Sequence, residues 1–183
     1  MKQVASLHYG VIFKKAFCVP EIFTAFVQDF TDIQLEISHI ETEKSFAPVI
    51  GKIDSRFDLF AVDNRNRVIV EIKHRRLSHH YTQFLHKHCI AILEQAPKVE
   101  DYCSSLKVLT LVVLTSSDKH KTEIPTKNFE PRHLDGKPLG NNPHKIMYIC
   151  PKYLNDKTPE PYREWMLAIE DSLDKKERKV VQV

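Results

Sequence analysis

Apolar residues recur along this chain with two different periods, and the switches between them mark out its elements. In VPEIFTAFVQDF (19–30), Ile22, Phe23, Phe26, Val27 and Phe30 repeat at three and four, which predicts a helix with one apolar face. Pro20 suits its first turn, where a missing N–H is no loss. RFDLFAV (56–62) and RVIVEIK (67–73) read as strands on either side of the polar break Asp63-Asn64-Arg65-Asn66. SHHYTQFLHKHCIAILEQ (78–95) returns to helical spacing through Tyr81, Phe84, Leu85, Cys89, Ile92 and Leu93, and Pro97 stops it. KVLTLVVLTS (107–116) is a dense β-branched run suited to a buried central strand. KIMYIC (145–150) predicts a further short strand, and PEPYREWMLAIEDSLD (159–174) a closing helix. Residues 31–50 are ambiguous, with LEISHIE fitting a short strand and EKSFAPVIG a loop. The polar, Pro/Gly/Asn-rich stretch 117–144 reads as a long irregular excursion.

This order predicts an α/β fold, a mixed sheet flanked by helices with 107–116 near its centre, in one domain spanning 1–183. Hydrophobic residues at 42% and charged residues at 28% are an ordinary globular balance. A net charge of +3 permits nucleic acid as a partner without arguing for it. Lys14-Lys15 and Lys73 to Arg76 are local basic clusters; the run at 175–179 reads as a solvated tail. No apolar stretch reaches the ~20 residues that cross a bilayer, and the first residues lack the unbroken apolar core of a secretory signal. Cys18, Cys89, Cys103 and Cys150 stand far apart, with no Cys-x-x-Cys pair to suggest zinc. The expectation is a reduced, cytoplasmic protein with no membrane association.

Three charges fit poorly in the strand-like stretches: Asp58, Glu71 and Lys73. If the chain reverses between Asn64 and Arg65, paired residue numbers sum to 129 and Asp58 lies opposite Glu71. Opposed side chains share a face, with Cβ atoms about 4.5–5.5 Å apart, and Lys73 shares that face two residues on. A one-residue slip would turn Asp58 to the other face. Like charges directly opposite destabilise a sheet, so something must offset them. A lysine does so in part, and a hard divalent ion such as magnesium does so more completely. The same set suits phosphodiester hydrolysis, with the backbone carbonyl of Ile72 as a further metal ligand. The plainer reading is a surface salt-bridge ladder.

At this point the chain resembles the PD-(D/E)XK nucleases, the restriction-endonuclease-like superfamily. More narrowly, it resembles the Rpn-type recombination-promoting nucleases, also described as PD-(D/E)XK family transposases. The likeness rests on Asp58 followed after twelve residues by Glu71-Ile72-Lys73, and on FKKAF (13–17), YTQFLHKHCIAILEQ (81–95) and LKVLTLVVLTS (106–116). It implies a restriction-endonuclease-like mixed sheet with helices on both faces. It also implies an endonuclease that cleaves DNA with magnesium, or manganese in its place. Carried over, Asp58 and Glu71 are metal ligands and Lys73 the catalytic lysine, where close relatives frequently have glutamine. The superfamily often adds an acidic residue from the first helix, for which Glu21 is the nearest candidate, ahead of Asp29.

Lys14, Lys15, Arg75, Arg76 and Lys87 are candidates for contacts to the DNA backbone, which position the nucleic acid without reading its sequence. Weak sequence specificity is therefore expected. Tyr81 is a candidate for the edge of the site, and the histidines of 79–88 are expected to face solvent or DNA. A homodimer, in which each copy cuts one strand, is compatible with this reading. The resemblance also implies a link to recombination or mobile elements; the alternative is a catalytically inactive relative that serves as a DNA-binding or protein-interaction module.

Overall fold

The computed structural model describes residues 7, 9–46, 55–74, 80–95, 106–116, 121–129, 132–137 and 144–171. Two helices come first, α1 (Gly10–Phe17) and α2 (Pro20–Thr31). Pro20 opens α2 at the position where a helix tolerates it, Glu21 lies in the positive first turn, and Asp32 closes the helix with φ 56°. The strands are β1 (Glu41–Phe46), β2 (Ser55–Val62), β3 (Asn66–Lys73), β4 (Lys107–Leu114), β5 (Thr126–Asn128) and β6 (Lys145–Ile149). Helix α3 (His80–Leu93) joins β3 to β4, and α4 (Tyr162–Asp171) follows β6 after a short 3₁₀ turn at Pro151–Tyr153.

The six strands form one mixed sheet in the order β1-β2-β3-β4-β6-β5. The β1–β2, β2–β3 and β5–β6 pairs are antiparallel, whereas β3–β4 and β4–β6 are parallel. A parallel pair needs a crossover, and α3 supplies it between β3 and β4. The β-branched run of β4 lies inside the sheet and is buried from Val108 to Leu114, as its composition predicts.

Alternation along the strands sends residues to two cores. On one face Leu59, Ala61, Val68, Val70, Ile72, Leu109, Leu111, Val113, Met147 and Ile149 pack beneath α1, α2 and α4. Phe13, Phe17, Phe23, Phe26 and Phe30 fill that layer, with Phe13 and Phe17 stacked at 4.1 Å and Phe17 edge-on to Phe26 at 4.9 Å. Trp165 of α4 donates its indole N–H to Asp29 Oδ2 at 2.6 Å, tying α4 to α2. Asp29, the second acidic candidate from the helix, is thus a packing partner. On the other face α3 covers Ile69, Val108, Val112, Leu114, Ile146 and Tyr148.

The predicted strands and helices sit close to their expected places, but the early chain differs: α1 is a helix that the apolar pattern does not predict, and residues 32–46 divide differently. Only Glu41, the last residue of LEISHIE, enters a strand; residues 32–40 run irregularly, with Leu35, Ile37 and Ile40 buried against the helices. The strand is ETEKSF, of which EKSF falls in the segment expected as a loop. The excursion contributes the three-residue edge strand β5. Among the described residues no helix is long and apolar enough to cross a membrane.

Candidate active site

The β2–β3 register is the one counted across the polar break. Leu59 pairs with Val70, Phe60 with Ile69, Ala61 with Val68 and Val62 with Arg67, each pair summing to 129. The turn fixes it. Asp63 accepts from the N–H groups of Arg65 at 2.7 Å and Asn66 at 2.6 Å, and from the Asn66 side chain at 3.1 Å. Burial works against the Asp63 charge, but these donors outweigh it and hold the carboxyl below the usual range.

One step beyond Leu59 and Val70 the regular ladder gives way to side chains. Asp58 donates its backbone N–H to Glu71 Oε1 at 3.3 Å, and Ile72 donates its N–H to Asp58 Oδ2 at 3.0 Å. Each carboxylate therefore takes a backbone donor from the opposite strand where a carbonyl would ordinarily sit. Lys73 Nζ stands 4.0 Å from Asp58 Oδ2 and 3.7 Å from Glu71 Oε2, so one ammonium faces both carboxylates. Successive strand residues direct their backbone groups to opposite neighbours. The carbonyl of Lys73 accepts from the N–H of Thr115, just past the end of β4, at 3.0 Å, so that of Ile72 faces β2.

Two further lysines complete the cluster. Lys14 of α1 pairs with Glu43 and lies 4.0 Å from Asp58 Oδ1. Glu43 belongs to β1, where Thr42 pairs with Leu59 and Lys44 with Phe57, so it falls opposite Asp58. Three carboxylates, Glu43, Asp58 and Glu71, thus occupy neighbouring positions across three strands. Glu43 has φ 55°, an unusual conformation for a residue with a side chain inside a strand. The bond from Lys14 lowers the Glu43 carboxyl despite partial burial, with help from Arg56 at 3.7 Å.

Lys87 of α3 reaches the row from the opposite side. Its ammonium donates to both Glu71 oxygens at 2.8 Å and to the Arg56 carbonyl at 2.6 Å, 5.6 Å from the centre of the Phe57 ring. Glu71 is 0% exposed. Burial raises its pKa, Lys87 opposes that, and the neighbouring Asp58 charge adds to it.

The structure thus brings Asp58, Glu71 and Lys73 together with the Ile72 main chain, and adds Lys14 and Glu43. Glu21 lies elsewhere: exposed in the first turn of α2, it lines a shallow groove with Thr24, Gln28, Leu35 and Ile37. Lys15 is exposed on α1. Lys87, expected on the DNA-facing surface, is 9% exposed, and its three N–H groups are directed into the protein. Arg75 and Arg76 lie outside the described residues. Tyr81 packs on Tyr148 at 4.4 Å. His88, expected to face solvent or DNA, is fully buried: its Nδ1 meets Thr110 Oγ1 at 2.8 Å and its ring stacks on Phe129.

Lys87 and His88 carried a signal in the sequence. With Phe84 and Ala91 they occupy positions i, i+3, i+4 and i+7 of one helical stripe, and all four are buried. A lysine on such a stripe needs a buried anion. Glu43 offered no comparable signal, because its place beside Asp58 depends on which strand adds to the hairpin edge.

The donor chemistry suits a hard divalent ion: two carboxylates and a backbone carbonyl, all oxygen. Asp58 is the more open of the pair, since Oδ1 has only the 4.0 Å contact with Lys14 among the described residues. Among those residues no group of three or more His, Cys, Asp or Glu side chains converges to hold a metal. A two-carboxylate set of this kind binds magnesium together with waters and substrate phosphate oxygens. No protein-family model matches the chain, and no curated protein matches it significantly in sequence.

Proposed function

We propose that this protein is a divalent-metal-dependent DNA endonuclease of the PD-(D/E)XK type, built on a restriction-endonuclease-like sheet. The observation that supports this most is the pairing of Asp58 and Glu71 through each other's strand backbones, with Lys73 within 4.0 Å of both. A salt-bridge ladder on an open surface would leave Glu71 in water, whereas here it is sealed beneath α3.

Asp58, Glu71 and the Ile72 carbonyl would hold the ion. Bound there, magnesium would polarise the scissile phosphate and lower the pKa of a coordinated water. The chain's own contribution is positional and electrostatic. Asp58 presents its open oxygen toward substrate, and Glu71 is locked in orientation by Lys87 and the Asp58 N–H. Lys73 carries positive charge to the place where negative charge develops on the phosphate. Lys15, Arg75 and Arg76 are the basic residues left for phosphate contacts, which carry little sequence information.

The filled hydrogen-bonding shell of Glu71 favours a second reading, in which lysines have replaced the ion and the protein is a catalytically inactive DNA-binding or interaction module. Supercoiled plasmid incubated with the protein in magnesium, manganese or chelator separates the two. Nicked or linear product that requires the ion supports the nuclease. Retarded but intact plasmid under all three conditions supports the module.

A further inference from the structure

A carboxylate has about four lone-pair sites. On Glu71, Oε1 takes Lys87 at 2.8 Å and the Asp58 N–H at 3.3 Å, while Oε2 takes Lys87 at 2.8 Å and faces Lys73 at 3.7 Å. Every site is thus occupied or covered by a cation, in a side chain closed to solvent. Lys87 is equally committed. Its third donor goes to the Arg56 carbonyl, its ammonium rests over Phe57, and its backbone lies in α3. Asp58 differs, since its two cations stand 4.0 Å away. An ion can therefore reach Asp58 without displacing a hydrogen bond, but it can reach Glu71 only by removing a donor.

We propose that Lys87 is a built-in competitor of the divalent ion: its ammonium occupies Glu71, and the ion binds fully only by taking one Glu71 oxygen from it. This rests on the reading of Asp58 and Glu71 as a metal site. Lys87 is then a positioning residue with two effects. It neutralises Glu71 so that the sheet folds without the ion, and it keeps ion affinity low, so that occupancy depends on the oxygens a bound phosphate adds. Lys73 is the poorer competitor because it stands between both carboxylates at ion-pair distance from each.

The test is manganese titration by isothermal calorimetry on wild type, Lys87→Gln and Lys87→Arg, with melting temperatures measured with and without manganese. Lys87→Gln takes the ammonium from both Glu71 oxygens, and since the ion needs to displace it from only one, manganese binding should tighten about ten- to a hundredfold. The variant should melt below wild type without the ion and recover most of the difference with it. Lys87→Arg, which keeps the charge, should show no gain. Lysine ammonium NMR on the wild type gives a readout that needs no variant: the buried Lys87 resonance should shift along the magnesium binding curve. Wild-type binding that is unchanged or weakened in Lys87→Gln, or a Lys87 signal that stays put as magnesium binds, would overturn the competitor role alone. Absence of manganese binding in wild type and Lys87→Gln alike would overturn the metal site and this proposal together.

Discussion

His88 offers a quantitative check on how α3 is seated against the sheet. It is fully buried, with Nδ1 on Thr110 and Nε2 without a hydrogen-bond partner among the described residues. Burial, and after it the neighbouring His144, lower its pKa from 6.5 to about 3. In the unfolded chain the imidazole takes a proton near pH 6.5, whereas the folded protein refuses it until about pH 3. Stability is thus complete above the unfolded value and is lost as pH falls from about 6.5 toward 3. One pKa unit corresponds to about 1.4 kcal/mol, so the loss attributable to His88 between pH 7.5 and pH 5 is about 2 kcal/mol. For a chain of this size that is roughly 4–8 °C in melting temperature. Urea unfolding at pH 7.5, 6 and 5 on wild type and His88→Gln measures it. His144 and the carboxylates remain in both proteins, so the difference between the two pH profiles isolates His88. The variant should lose about 2 kcal/mol less than wild type over this range. Parallel profiles, agreeing within about 0.5 kcal/mol, would show that His88 is hydrated in solution and that α3 does not seal this face.

Two substitutions test the frame that carries the carboxylates. Phe26 is fully buried, edge-on to Phe17 at 4.9 Å and to Trp165 at 5.3 Å, so Phe26→Ala should cost about 3–5 kcal/mol in chemical denaturation; a cost under about 1 kcal/mol would mean that the aromatic layer is loosely packed. Asp63→Ala removes the acceptor for three backbone N–H groups, those of Glu36, Arg65 and Asn66, and for the Asn66 amide, and should destabilise by about 1–3 kcal/mol. An unchanged denaturation midpoint would indicate that the turn does not set the register.

The hairpin was legible because its cues are local. Asp63 and Asn66 mark the turn, and a period of two on each side then places Asp58 against Glu71 without tertiary information. Helix α1 was not recognised as a helix because eight residues with no side-chain cap and only Phe13 and Phe17 buried give a weak pattern. β1 was hidden for a different reason. ETEKSF is a mostly polar edge strand, and the left-handed backbone of Glu43 interrupts its alternation. LEISHIE shows the converse: its alternating Leu35 and Ile37 are buried, but against helices, without strand pairing. Burial periodicity reports which side chains face the core, and hydrogen-bonded partners must be found elsewhere in the chain. The chemistry divides in the same way. The Asp58, Glu71 and Lys73 constellation follows from one hairpin, whereas Glu43, Lys14 and Lys87 arrive from β1, α1 and α3 and depend on how those elements dock. Lys87 in particular reads as a surface cation by its charge, and only its place on the buried stripe with Phe84, His88 and Ala91 marks it as internal.

The most direct measurement is cleavage of supercoiled plasmid in magnesium by wild type and by Asp58→Asn at matched melting temperatures. Asp58 carries the more open oxygen of the Asp58–Glu71 pair and is not sealed in the core, so the substitution should leave the fold intact. The expected result is ion-dependent nicking by wild type that falls by at least about 100-fold in Asp58→Asn. Equal cleavage by both proteins, or none by wild type in magnesium or manganese, would contradict a hydrolytic site at these carboxylates.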